Sequence, residues 1–232
     1  MKFLIKSIFN LFGLKVVRLN PPKEESYTLT VNDPIEFNQK ENLKSLYKDE
    51  NNLNFHHFSE ERNNFYKEIL SCISAKNILL SNKNIADIGC GTGHLLFNIA
   101  KSYNPGNLVG YEYIDEPLQI ARKLVPGAAF IEYDIYQKNE KQFDIVFCTE
   151  VLEYLLYPWR ALLNISEMIV PGGFLILTVP DGRADQWKGH INFWSAESWR
   201  IFLEQHLPSK SFEIQHTFLS GNILLGVIKR MN

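Results

Sequence analysis

The feature that most restricts this chain is a short apolar run, Ile85-Ala86-Asp87-Ile88, that breaks into Gly89-Cys90-Gly91-Thr92-Gly93 and passes straight into a helical pattern over residues 94–101. Glycine accepts backbone angles that side chains forbid. Glycines at alternate positions therefore let a strand turn tightly and let bare N–H groups approach a ligand at the N-terminus of the next helix. By itself the run suits equally a turn that only joins a strand to a helix.

The residues downstream make it more specific. After Ser81-Asn82-Lys83-Asn84, short apolar runs alternate with helical ones, the pattern of parallel strands with crossover helices. Strands are expected at 85–88, 108–111, 128–132, 143–148 and 174–179. Helices are expected at 94–101, 116–124 with Pro117 in its first turn, 159–169 and 196–204. The helix over 159–169 should stop at Pro171-Gly172-Gly173, read as the turn into the fifth strand. Runs 212–219 and 223–229, joined through Ser220-Gly221-Asn222, predict an antiparallel hairpin. Residues 40–75 read as a helical cover carrying Phe58, Phe65, Ile69 and Leu70, with Ser59 as a cap ahead of Arg62. The expected fold is α/β, Rossmann-like and doubly wound: a mostly parallel seven-stranded sheet with a C-terminal antiparallel hairpin and an N-terminal helical cover. The boundary is drawn between residues 1–80, an amphipathic segment plus cover, and 81–232, the ligand-binding domain.

Composition excludes several classes. With 45% hydrophobic and 22% charged residues the chain is an ordinary globular one. A formal charge of -2 supplies no basic field, so nucleic acid is not an expected partner. Cys72, Cys90 and Cys148 are odd in number and lack metal-ligand spacing, which suits reduced thiols and no metal site. No apolar run reaches the roughly 20 residues that span a bilayer.

Residues 1–20 carry Lys2, Lys6, Lys15 and Arg18 and no acid, with Leu4, Ile5, Ile8, Leu11 and Phe12 on one helical side. They suit docking on the chain's own domain, on a second copy in a homodimer, or peripherally on an anionic membrane. The expected location is the cytoplasm, with the inner membrane face as an option.

In open parallel sheets ligands sit beyond the carboxyl ends of the strands, and the polar residues of this chain fall there. Asp87 ends the first strand, Glu112 the second, Asp134 comes just after the third, and Thr149-Glu150 end the fourth. Glu112 lies about 20 residues beyond the loop, where a carboxylate can accept hydrogen bonds from ribose hydroxyls. A nicotinamide-binding loop would want glycine at position 94, where His94 stands.

With these residues in place the chain resembles a class I S-adenosylmethionine-dependent methyltransferase, in the small-molecule group that includes ubiquinone-biosynthesis enzymes. The resemblance is carried by 85–93, by Leu108-Val109-Gly110-Tyr111-Glu112, by Phe130-Ile131-Glu132-Tyr133-Asp134-Ile135, by 143–154 and by Ile169-Val170-Pro171-Gly172-Gly173-Phe174-Leu175. It implies S-adenosyl-L-methionine as cofactor. Asp87, Gly89, Cys90, Gly91 and Gly93 would form the loop at its methionine part, Glu112 would bind the ribose and Tyr113 would lie against the adenine. Asp134 and the backbone of Ile135 would contact the adenine edge, and Thr149 would border the methyl group. Tyr154 departs from the histidine of many relatives.

Methyl transfer needs chiefly near-attack geometry, and a base helps when the acceptor is a hydroxyl. His190, in Gly189-His190-Ile191-Asn192-Phe193-Trp194-Ser195, and Glu150 are the candidates, with His56-His57 behind them; helix capping explains His190 and Glu150 as well. Tyr154, Trp187 and Phe193 are candidates for the acceptor pocket. The expected function is methyl transfer to a small-molecule, glycan or lipid-precursor acceptor, most simply on oxygen. The alternative is a non-catalytic module that keeps the cofactor fold and acts through a protein partner.

Overall fold

A computed structural model describes residues 33–48, 58–219 and 222–232, all within one compact unit, Val31–Asn232. The amphipathic segment read over 1–20, together with Phe55, His56, His57, Ser220 and Gly221, lies outside the described residues.

Two short helices come first, α1 (Pro34–Phe37) and α2 (Lys40–Leu46), then α3 (Glu60–Ala75), capped by Ser59, whose hydroxyl accepts from Arg62 N. From there strands and helices alternate: β1 (Ile85–Ile88), α4 (His94–Ser102), β2 (Leu108–Glu112), α5 (Asp115–Leu124), β3 (Ala129–Glu132), β4 (Phe143–Thr149), a 3-10 turn (Leu152–Tyr154), α6 (Pro158–Glu167), β5 (Ile169–Pro180), α7 (Ala196–His206), β6 (Phe212–Leu219) and β7 (Ile223–Arg230). They form one seven-stranded sheet in the order β3-β2-β1-β4-β5-β7-β6, with β1 to β5 parallel and β7 antiparallel to both β5 and β6. The Rossmann-like fold with its C-terminal hairpin is therefore as expected.

Alternation along the strands explains the two layers. Ala86, Ile88, Val146, Cys148, Leu175 and Leu177 point to a core shared with Ala161, Leu162 and Ile165 of α6 and Trp199 and Leu203 of α7. Ile85, Ile145, Phe147 and Ile176 point to a second core with Ile69 and Ile73 of α3, Leu95, Leu96 and Ile99 of α4, and Leu118 and Ala121 of α5. Burial on both faces is why these strands read as near-continuous apolar runs.

The helical cover expected over 40–75 is carried among the described residues by α2, which ends at Leu46, and by α3, which packs on the sheet. One expectation needs correction. Pro171-Gly172-Gly173 is not a turn ahead of the fifth strand but a bulge inside it. Phe143 pairs with Ile169 and Ile145 already with Phe174, so four residues of β5 are crowded out opposite one of β4. Gly172 takes φ 77°, and a Cβ on Gly173 would stand 2.7 Å from Asp144 O, which is why glycines occupy the bulge. No described helix is long and apolar enough to cross a membrane.

Candidate functional site

The turn after β1 is held by its own backbone. Gly89 N and Cys90 N both donate to Tyr111 O, at 2.8 and 3.0 Å, and Gly93 N donates to Cys90 O at 2.9 Å. Gly89, Gly91 and Gly93 take φ values of 72°, 49° and 82°. At Gly89 a Cβ would stand 2.3 Å from Val151 Cγ2, and at Gly93 2.9 Å from Ala121 Cβ. The loop thus packs against the β4 turn on one side and α5 on the other, with the start of α4 behind it.

Glu112, at the tip of β2, reaches into this loop: Oε2 accepts from Gly91 N at 3.0 Å and Oε1 from Tyr113 N at 2.7 Å. Burial pushes its carboxyl above the usual range, against the pull of the N–H groups of Tyr113, Gly91 and Ile114. Beneath the loop Asp87 is almost wholly buried, and its Oδ1 finds no partner among the described residues. Burial raises its pKa well above the ordinary value, and the neighbouring Glu112 charge adds to the rise.

Above the strand tips lies a cavity of about 1360 Å3. Of the residues expected at the site, Gly89, Cys90, Gly91, Glu112, Tyr113, Asp134, Ile135, Thr149, Glu150, Tyr154, Trp187 and His190 line it. Asp87 and Gly93 do not; they support the loop from below. Phe193 is half exposed and outside the lining, 6.4 Å ring to ring from His190. Glu150 sits at φ 56°, a backbone conformation rare for a side-chain-bearing residue, and its Oε1 accepts from the Thr178 hydroxyl at 3.0 Å. Burial raises its pKa, and that of Glu153 three residues on rises well above normal from burial and then from the Glu150 charge. Neither acid belongs to a long helix, so the helix-terminus explanation of Glu150 does not apply: only a three-residue 3-10 turn comes after it.

His190 lies on the loop between β5 and α7. Its Nδ1 meets Asp185 Oδ2 at 2.5 Å, and Tyr154 stacks edge-on at 4.5 Å between ring centres. Burial lowers its pKa, while Asp185 pulls the other way.

The cavity also contains residues that sequence reasoning passed over. Arg62, read only as the residue behind the Ser59 cap, lines it from the first turn of α3. Its Nε finds no partner among the described residues. Its charge is felt at Asp87 and His94, at the two ends of the glycine loop. Burial works against that charge, yet Tyr66, Glu150 and Tyr154 more than restore it, and the pKa is raised. Tyr47 and Tyr66 also line the cavity. Helices α1 and α2 form a strap across the mouth. Lys40 pairs with Glu132 and lies 5.1 Å over the Tyr113 ring. Asn38 Nδ2 donates to Gly189 O at 2.9 Å, and Phe37 packs edge-on against Trp187.

The cavity can thus hold a nucleoside-bearing ligand by backbone N–H groups and two acids, with the cation of Arg62 and the imidazole of His190 also in its lining. A family profile described as a methyltransferase domain matches residues 58–213. Among curated proteins, trans-aconitate 2-methyltransferase of Escherichia coli O1:K1 is 28% identical over 126 residues, covering 54% of this chain and 48% of that protein. Ubiquinone biosynthesis O-methyltransferase of Hydrogenovibrio crunogenus is 29% identical over 155 residues, covering 63% and 60%. The chain therefore spans about half to three-fifths of the length of these relatives. Among solved structures, N-methyltransferase NodS of Bradyrhizobium japonicum WM9, in complex with S-adenosyl-l-homocysteine, shares the fold at a TM-score of 0.61 and 20% identity, covering 83% of this chain and 98% of that one.

Proposed function

The chain belongs to the methyltransferase-domain family, class I and S-adenosylmethionine-dependent, and on that premise we propose that it transfers the methyl group of S-adenosyl-L-methionine to an oxygen of a small-molecule acceptor, a hydroxylated metabolite or a glycan or lipid precursor. One observation carries the reading: Glu112, Gly91 and Asp134 line a single rim of a single cavity, with Glu112 Oε2 3.0 Å from Gly91 N. Had the two acids lain on the far rim from the glycines, no one adenosyl group could meet all three.

The residues present fit that cofactor. The left-handed glycines leave no Cβ between backbone and ligand. Glu112 offers the acceptor atoms that ribose hydroxyls need, Asp134 an acceptor for the adenine amine, the backbone of Ile135 an N–H for a ring nitrogen, and Tyr113 an aromatic face. Arg62, over the loop with an unpartnered Nε, suits the carboxylate of the methionine part. When bound, the cofactor supplies an already activated methyl group, so the chain's work is to hold the acceptor in line and to exclude water. Thr149, Glu150, Tyr154 and Trp187 would enclose the reacting end, and His190 would receive the acceptor's proton. At about 1360 Å3 the cavity exceeds the 300–1,000 Å3 of a pocket for one small molecule, which supports joint occupancy by cofactor and acceptor.

Calorimetry with S-adenosylmethionine tests the first half. The parent chain should bind and Gly91→Arg should not; absence of binding to both refutes the reading. Incubation with methyl-labelled cofactor and a panel of hydroxylated acceptors tests turnover. Binding without transfer to any of them favours the non-catalytic module instead.

A further inference from the structure

We propose that Asp185 is a positioning residue that fixes His190 as a proton acceptor, and that the acceptor's reacting group is therefore an un-ionised hydroxyl and not a carboxylate. The inference rests on the methyl-transfer reading and narrows its substrate class.

Geometry carries the first part. The loop between β5 and α7 is tied down at both ends: Asp181 bridges to Trp194, and Ile191 N and Asn192 N both donate to Glu153 O, at 2.8 and 3.0 Å. Asn192 Nδ2 adds a bond to Leu155 O at 2.6 Å. Within this frame the Asp185 side chain is 7% exposed and that of His190 8%. Asp185 divides its two oxygens, Oδ1 accepting from Trp187 N at 3.0 Å and Oδ2 facing His190 Nδ1 at 2.5 Å. A carboxylate there accepts, so Nδ1 must carry the proton in the neutral ring, and Nε2 keeps its lone pair. No partner of Nε2 is seen among the described residues, and His190 lines the cavity. Tyr154, edge-on at 4.5 Å, limits rotation of the ring. Glu150 and Glu153, on the turn after β4, act on Tyr154 and are themselves acted on by Asp185, and Arg62 acts on Tyr154 as well. A buried carboxylate behind an imidazole fixes its tautomer and stabilises the imidazolium that forms when it takes a proton.

The proton carries the second part. An acceptor carboxylate has none to give up to a base at Nε2, whereas an un-ionised hydroxyl has one. As its oxygen forms the new O–C bond, the C–S bond breaks with its electron pair left on sulfur, and the hydroxyl proton passes to Nε2, whose positive charge Asp185 balances.

Nitrogen-15 spectra of the labelled full chain, saturated with S-adenosylhomocysteine, read the ring directly, with His190→Gln assigning its signals. The expected wild-type ring is protonated on Nδ1 at neutral pH. Asp185→Asn should lower its titration midpoint by about one unit, because a charge that favours the imidazolium is gone, and should mix the tautomers. The dissociation constant for S-adenosylhomocysteine should stay within about twofold. In the wild type, phenol should perturb the Nε2 signal more than benzoate at equal concentration. A ring protonated on Nε2, or a midpoint unmoved in Asp185→Asn, overturns the positioning role. A benzoate response that equals or exceeds that of phenol overturns the neutral acceptor. Should Asp185→Asn fail to fold, the wild-type tautomer still decides the first point. Failure of S-adenosylhomocysteine to bind the wild-type chain would instead refute the methyl-transfer reading itself.

Discussion

Glu112 accepts from Gly91 N and Tyr113 N, so it braces the glycine loop with the same oxygens that would meet the ribose. Glu112→Ala should weaken cofactor binding by about 1.5–3 kcal/mol, the loss typical of charged hydrogen bonds, and calorimetry would register it. An unchanged dissociation constant would remove the ribose role. Gly89 faces a different constraint, its φ of 72° and the 2.3 Å approach to Val151 Cγ2. Gly89→Ala combines backbone strain with overpacking and should destabilise the fold by about 2–4 kcal/mol in urea denaturation. Arg62 is the sharpest case. Arg62→Ala should lose affinity for S-adenosylhomocysteine at least tenfold but leave 5′-methylthioadenosine, which lacks the methionine carboxylate, nearly unaffected; an equal loss for both ligands would mean that the residue serves the fold alone. The glycines and the strand-end acids were legible because local pattern fixes both their backbone and their place at a strand tip. Arg62 and Asp185 were not, since Arg62 meets the cavity, and Asp185 meets His190, only through how α3 or the loop after β5 packs in space.

Elements were legible to the degree that burial imposed a period. β1, between two other strands and covered on both faces, is Ile85–Ile88 as expected, and the C-terminal hairpin pairs Phe212–Leu219 antiparallel with Ile223–Arg230 as its two apolar runs predict. The bulge in β5 escaped because Pro-Gly-Gly is also the composition of a turn, and only the register of β4 tells the two apart. Helix α1 escaped for another reason: it is too short to repeat a period, and its order comes from contacts at distance. Lys40 ties the strap to Glu132 on one side, and Asn38 and Phe37 tie it to Gly189 and Trp187 on the other. The strap therefore joins the β2 and β3 side of the cavity to the loop after β5. Phe37→Ala should loosen both partners together, seen as faster amide hydrogen exchange in 33–48 and in 185–192, with the sheet unchanged. Faster exchange confined to the strap would show that the loop after β5 stands without it.

At the scale of the whole molecule, the site gathers Asp87, Glu112, Glu150 and Glu153 into the interior, and burial raises the pKa of each. The sign of the consequence is fixed by linkage. A carboxyl raised in the folded state binds protons there at pH values where the unfolded chain has released them. The slope of unfolding free energy with pH is then negative, and stability is lost as pH climbs from the ordinary carboxylate range through the folded values. Asp115, Asp181 and Glu197, lowered by their hydrogen-bond partners, act oppositely only where pH falls below the ordinary carboxylate range, and His94 and His190, lowered by burial, act oppositely only below the ordinary histidine range. Without ligand the protein should therefore withstand more urea at about pH 7 than at about pH 9. Glu153 is the strongest test, being fully buried with neither carboxyl oxygen partnered among the described residues. Glu153→Gln removes one ionisation without changing shape, so the pH dependence should flatten and the stability at about pH 9 should rise. A slope unchanged by that substitution would place the proton uptake elsewhere. The same burial explains why the fold tolerates such a cost: acids held away from water at the strand tips are already stripped for hydrogen bonding to a ligand. Saturating S-adenosylhomocysteine should stabilise the chain at both pH values by mass action, with the gain set by its affinity at each.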